Sequence, residues 1–215
     1  MIAIIDYDAG NIKSVEKALA HLGQETRVTR DAETILEADG AILPGVGAFG
    51  DAMAKLRAYG LADVICRYAD SGKPFLGICL GLQLLFESSE ESPGVEGLSI
   101  LEGRIVRIPQ MQGLKVPHMG WNSLRFPREG RLFAGIDKGD DQSDSYVYFV
   151  HSYYLQAQDE EIVTATAEYG VTLHAAVEKG NVFACQFHPE KSSDVGMRIL
   201  QNFCRICGGQ SAAAV

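Results

Sequence analysis

Across roughly its first hundred residues the chain alternates short apolar runs with segments of helical period, and this alternation restricts the possible folds more than any other feature. Ile2 to Asp6 is an apolar run closed by an acid, after which Ile12, Val15, Leu19 and Leu22 recur at helical spacing with Gly23 as a stop. Thr26 to Thr29 and Ala41 to Leu43 read as a second and a third strand, and Asp51 to Tyr68 as a helical segment weakened at Gly60. Phe75 to Ile78 is a fourth strand that leads at once into an apolar helix, Leu80 to Glu87. Strands joined through helices pair in parallel with right-handed crossovers. The expected architecture is α/β, a doubly wound, mostly parallel sheet flanked by helices.

The character changes at Ser88 to Gly97, a loop of Ser, Glu, Gly and Pro. Beyond it lie β-like runs at Arg104 to Ile108, Tyr146 to Val150, Ile162 to Tyr169, Leu173 to Glu178 and Val182 to Phe187, which predict additional mixed or antiparallel strands. A closing helix, Asp194 to Cys207, gathers Leu200, Phe203, Cys204 and Cys207 on one face. No repeat or polar linker divides the chain, so residues 1–207 are expected to form one domain, with 208–215 a frayed tail. The acidic stretch Asp137 to Asp144 reads as a solvated loop.

Composition removes several functional classes. With 19 Lys+Arg against 28 Asp+Glu the net charge is −9, and no basic cluster occurs, whereas a nucleic-acid or anionic-membrane surface needs a positive field. The longest apolar stretch, Pro74 to Leu82, falls far short of the roughly 20 residues of a membrane span. Cysteines at 66, 79, 185, 204 and 207 are odd in number and scattered, a usage that fits a reducing cytoplasm better than a disulfide framework.

Chemistry concentrates at Gly77-Ile78-Cys79-Leu80-Gly81, between a predicted strand and a predicted helix. This has the form of a nucleophile elbow with Cys in place of Ser, in which flanking glycines are required because a Cβ would collide with the strand or the helix. The thiol then stands at a helix N-terminus, where backbone dipoles favour negative charge. A small buried hydrophobe among close-packed glycines is the competing reading. A thiolate attacking a carbonyl needs a proton carrier. His21 and His174 lie in ordinary surface and strand patterns, whereas His188 ends an apolar run and Pro189 disfavours α geometry before it. In an extended segment Glu190 would project to the same side as His188 and fix its tautomer. The Leu80 amide supplies one oxyanion donor, and Pro44-Gly45-Val46-Gly47 is suited to present a second at Val46 or Gly47.

Two rival motifs carry less. Gly45 to Gly50 spells the Gly-x-Gly-x-x-Gly dinucleotide fingerprint, with Asp70 twenty residues on, but it follows a third strand and Asp70 precedes the next strand instead of ending it. Cys204 and Cys207 form a Cys-x-x-Cys pair with no second pair or nearby His, which favours core packing over a metal, and no cofactor or metal is expected.

The ordered set Asp6 to Asn11, Leu43 to Phe49, Gly77 to Gln83, Pro117 to Asn122, Tyr148 to Tyr153 and Gln186 to Ser192 resembles the class I glutamine amidotransferases, with the match running from residue 1 to about 206. Within them it resembles most the glutaminase subunits that serve a cyclase of histidine biosynthesis; a paralogue feeding a related cyclase-like synthase stays open. The resemblance implies a flavodoxin-like fold, a Cys79-His188-Glu190 triad that releases ammonia from glutamine through a thioester, and a glutamine site at Gly47, Gln83, Glu91, Ser152 and Tyr153. It also implies a heterodimer with a (βα)8-barrel cyclase subunit that receives the ammonia. Asn11, His118, Met119, Trp121, Asn122, Tyr148 and Lys191 are the interface residues this suggests, Trp121 as an anchor because it lies off any helical face. Partner docking is expected to turn the Val46 amide toward the oxyanion.

Overall fold

A computed structural model describes residues 1–136 and 145–208 of the chain. The elements run β1 Ile2–Ile5, α1 Ile12–His21, β2 Thr26–Thr29, α2 Ala32–Glu37, β3 Gly40–Gly45, α3 Phe49–Ala58, α4 Leu61–Asp70, β4 Phe75–Cys79 and α5 Leu80–Leu84. There follow β5 Ser88–Ser89, β6 Gly103–Arg107, β7 His118–Ser123, β8 Tyr146–His151, β9 Tyr153–Ala157, β10 Val163–Glu168, β11 Thr172–Lys179, β12 Val182–Cys185 and α6 Ser193–Cys207.

The strand order β2-β1-β3-β4-β12 is parallel throughout, and β11, β9 and β6 continue the same sheet in antiparallel sense. Alternate residues of each strand face opposite layers. Ala3 and Ile5 pack with Ile35, Met53, Leu56 and Ile65 of α2, α3 and α4, while Ile2 and Ile4 pack with Val15, Leu19, Leu200 and Phe203 of α1 and α6. A separate ribbon pairs β7 with β8, His118 opposite His151 and Trp121 opposite Tyr148.

Several expectations need correction. The segment Asp51 to Tyr68 is two helices, because Gly60 takes a left-handed φ of 67° between them. The helix after Cys79 stops at Leu84 instead of reaching Glu87. Helix α2 was not foreseen; it buries only Ile35, and its signal is Asp31, whose carboxylate accepts the Thr34 amide as an N-cap. Strands β7 and β9 were also unforeseen. Asp70 is exposed as the last residue of α4 and does not end a strand, so the dinucleotide fingerprint lacks its acid. Cys204 and Cys207 are part-buried, and a Cβ on Gly40 would collide with Cys207 Sγ, so this pair packs against the sheet. The stretch Asp137 to Asp144 lies outside the described residues, as does the expected tail beyond Gly208. No helix among the described residues is long and apolar enough to cross a membrane.

Candidate active site

Cys79 ends β4 at the carboxyl edge of the parallel strands, opposite Gly45 of β3, where open α/β sheets place their ligands. Its φ of 55° and ψ of −109° are rare for a side-chain-bearing residue, and the surroundings enforce them. Gly81 must lack a Cβ, since one would stand 1.8 Å from the Leu43 carbonyl oxygen, and a Cβ on Gly77 would meet the Gly81 carbonyl at 2.7 Å. Strand and helix therefore close on each other with the thiol at the turn.

His188 arrives by a different route. Strand β12 lies beside β4, and three residues after its end the His188 amide donates to the Tyr148 carbonyl of β8 at 2.9 Å. Its Nδ1 faces Glu190 Oε1 at 2.8 Å, both side chains shielded from solvent. The pairing was foreseen but its geometry was not: Pro189–Lys191 is a 3-10 turn, and this turn, not an extended segment, brings Glu190 to the imidazole. Nδ1 being engaged, Nε2 is left without a protein hydrogen bond as the nitrogen available to Cys79. Burial of the ring opposes its charge, but the adjacent Cys79 sulfur and Glu190 carboxylate outweigh this, and the imidazole is pushed up to about 9. Burial likewise raises Glu190, yet its bonds to His188 and Asn11 hold it below the ordinary carboxylate range.

Asn11 occupies the N-cap position of α1 with a φ of 74° and caps nothing there. Its Nδ2 instead donates to Glu190 Oε1 at 2.6 Å and lies 3.2 Å from His188 Nδ1. The expectation of Asn11 as an interface residue thus acquires a second aspect, a direct bond to the Glu190 carboxylate.

A cavity of about 350 Å³, within the range of small-molecule sites, opens at Cys79. Its wall contains Val46, Gly47, Leu80, Gln83, Glu91, Ser152 and Tyr153, the residues expected at the oxyanion hole and the glutamine site, together with Pro117, Val150 and His151. Gly47 takes a φ of 105°, open to glycine and strained for any other residue. Gln83 is buried and donates through Nε2 to the Tyr153 carbonyl at 3.1 Å and to Gln186 Oε1 at 3.0 Å. Glu91 Oε2 accepts the amide of Phe49, the first residue of α3, at 2.7 Å. Ala48 cannot cap that helix, so Glu91 does so from another loop and serves structure as well as the cavity.

The expected interface residues divide. Met119 and Trp121 are 62% and 54% exposed, whereas His118 is 3% exposed and offers no contact surface. Lys191 is exposed, and Tyr148 and Asn122 are half-buried. Sequence reasoning missed Gln186, whose Nε2 points to Cys79 Sγ at 3.8 Å, and His151. Their signal was position: Gln186 lies two before His188 and His151 directly precedes Ser152.

The profile of the family described as "Glutamine amidotransferase class-I" matches residues 3–207. The chain belongs to that family. It is similar to the imidazole glycerol phosphate synthase subunit HisH of Moorella thermoacetica, 55% identical over 202 residues that cover 94% of this chain and 93% of that one. It is also similar to the protein of the same name from Methanothermobacter thermautotrophicus, 49% identical over 206 residues, 96% of this chain and 98% of that one. Among solved structures, a glutamine amidotransferase covers 97% of this chain and 100% of its own with a TM-score of 0.74 at 22% identity, a likeness of fold. A chain of the PurLQS structure from Thermotoga maritima covers 94% of this chain and 96% of its own with a TM-score of 0.68 at 21% identity, again a likeness of fold.

Proposed function

We infer that the chain is the glutaminase subunit of imidazole glycerol phosphate synthase, hydrolysing L-glutamine and passing the ammonia to a cyclase subunit in histidine biosynthesis. One observation carries the chemistry: an elbow cysteine, a buried His188-Glu190 pair and a small-molecule cavity meet at one edge of the sheet. Identity of 49–55% over nearly the whole length of subunits bearing that name supports the assignment to this synthase over a paralogue.

In this reading Cys79 Sγ attacks the glutamine side-chain carbonyl, and the oxyanion is met by the amides of Leu80 and of Val46 or Gly47. His188 holds the proton and gives it to the departing amide nitrogen, which leaves as ammonia. A water then attacks the thioester, again through His188, releasing glutamate and restoring the thiol. Glu190 orients the ring and favours its charged form, and Asn11 steadies Glu190. Gly47, Gln83, Glu91, Ser152 and Tyr153 hold the glutamine.

Ammonia released into water becomes mostly ammonium, which has no lone pair to attack with, so delivery requires a docked acceptor enzyme. We assign that role to a (βα)8-barrel cyclase forming a heterodimer with this chain. Asn11, Met119, Trp121, Asn122, Tyr148 and Lys191 contribute to the contact, and docking turns the Val46 amide toward the oxyanion. Glutamate release is followed with the chain alone, with the liganded cyclase added, and with Cys79→Ala. Activity only in the mixture, abolished by the substitution, is the expected result; equal turnover without the cyclase, or turnover by the variant, would refute it.

A further inference from the structure

Two buried histidines outside the triad link the cavity to the β7–β8 ribbon. His151 lines the cavity, and its Nδ1 lies 2.8 Å from the Tyr153 carbonyl oxygen. A carbonyl only accepts, so that nitrogen carries the hydrogen. His151 Nε2 lies 3.1 Å from His118 Nδ1. Burial pushes His118 down to about 4 and His151 to about 3, so both rings are neutral at ordinary pH. His151 Nε2 is therefore an acceptor, and His118 Nδ1 must donate to it. His118 Nε2 in turn accepts from Asn122 Nδ2 at 3.3 Å, and the same amide nitrogen donates to the Glu168 carbonyl at 2.9 Å. Asn122 Oδ1 accepts the Ser123 amide, which fixes the amide's orientation.

Both tautomers are thus determined, and the hydrogens between Asn122, His118, His151 and the Tyr153 carbonyl all point from β7 toward the cavity. It ends on a carbonyl that can take no proton, so it orients and does not conduct. The ring of His118 is clamped between Phe149, with centroids 4.7 Å apart, and Tyr169, at 3.9 Å, both nearly parallel to it. The carbonyl it orients is the one that also receives Gln83 Nε2.

We propose that His118 and His151 are positioning residues for the substrate: their hydrogen-bond chain, anchored at Asn122, aims the Tyr153 carbonyl and so sets the cavity wall formed by Ser152, Tyr153 and Gln83. This rests on the glutamine reading of the cavity. His118→Phe keeps the stacked ring and deletes both of its hydrogen bonds, while His118→Asn returns an amide donor near the place of Nδ1. Assayed with the cyclase subunit, the Phe variant is expected to raise KM for glutamine about tenfold, with a smaller change in kcat, and the Asn variant to recover most of it. Equal KM in wild type and both variants, or a loss confined to kcat, would overturn the proposal.

Histidine 15N spectra of the full chain give a readout that needs no turnover. His118 and His151 are expected to carry the hydrogen on Nδ1, and His151 to exchange between tautomers in His118→Phe. An Nε2–H tautomer of His151 in the wild-type chain would contradict the proposal whatever the activity. Absence of glutaminase activity in the wild type would instead defeat the functional reading, and the spectra would still decide this one.

Discussion

Replacing Glu190 by Gln removes one negative charge from a site that keeps its shape. Glu190 Oε1 accepts from both His188 Nδ1 and Asn11 Nδ2, and an amide oxygen in the same place accepts both bonds. What is lost is the carboxylate's support of the imidazolium. His188 stands at about 9 against an ordinary value near 6.5, and the Cys79 sulfur and Glu190 share the rise against burial. An opposite charge in contact is worth about 1–3 pKa units. Taking two for Glu190 gives about 2.7 kcal/mol, a hundredfold in any step that charges the ring. The assay is kcat/KM for glutamate release as a function of pH, with the cyclase subunit present. The variant is expected to lose about a hundredfold, with the limb assigned to His188 moved down by about two units. A loss below about threefold, or an unmoved limb, would refute the reasoning that Glu190 acts through charge.

Gly47→Ala meets no atom within 4 Å, so its cost is that of the 105° φ alone, about 1–3 kcal/mol; glutaminase activity should fall at least about fivefold with the fold intact, and wild-type activity would show that Gly47 conformation is immaterial. Trp121→Ala removes a half-exposed side chain whose ring stands edge-on to Tyr148 with centroids 6.2 Å apart, so Tm should change little while titration calorimetry shows the cyclase bound about thirtyfold more weakly; an unchanged Kd removes Trp121 from the interface. Stability should fall on both sides of neutrality. His118 and His151 are neutral when folded and take protons below about 6.5 when unfolded, so Tm drops as pH falls from there; Glu190, held low, adds to the loss once pH passes below its ordinary range. The contribution of His188 is complete below about 6.5 and is lost as pH rises through about 9. A Tm that is flat from about pH 5 to about pH 10 would contradict these assignments.

Strands β1, β3 and β4 were legible because they are short, apolar and buried on both faces, the pattern of a buried parallel strand. The ribbon was not. His118–Ser123 reads HMGWNS, without alternation and with Gly120 at a φ of 129°, and it exists as a strand only because β8 pairs with it. Strand β9 was hidden because only Ser152 separates it from β8. Around the site, residue types and glycine spacing located Cys79, His188 and Glu190, since the elbow is a local steric requirement. The Asn11 bond to Glu190 and the contact between His118 and His151 join residues 179 and 33 positions apart, and single-residue patterns carry no trace of those.

In the proposed mechanism Cys79 is the sulfur that meets glutamine. Treating the chain, with its cyclase subunit, with an electrophilic glutamine analogue and mapping the adduct by peptide mass measures this directly. A single adduct on Cys79, prevented by excess glutamine, is the predicted result. Modification of half-buried Cys66 or of Cys185 instead, with Cys79 untouched and activity lost, would contradict it.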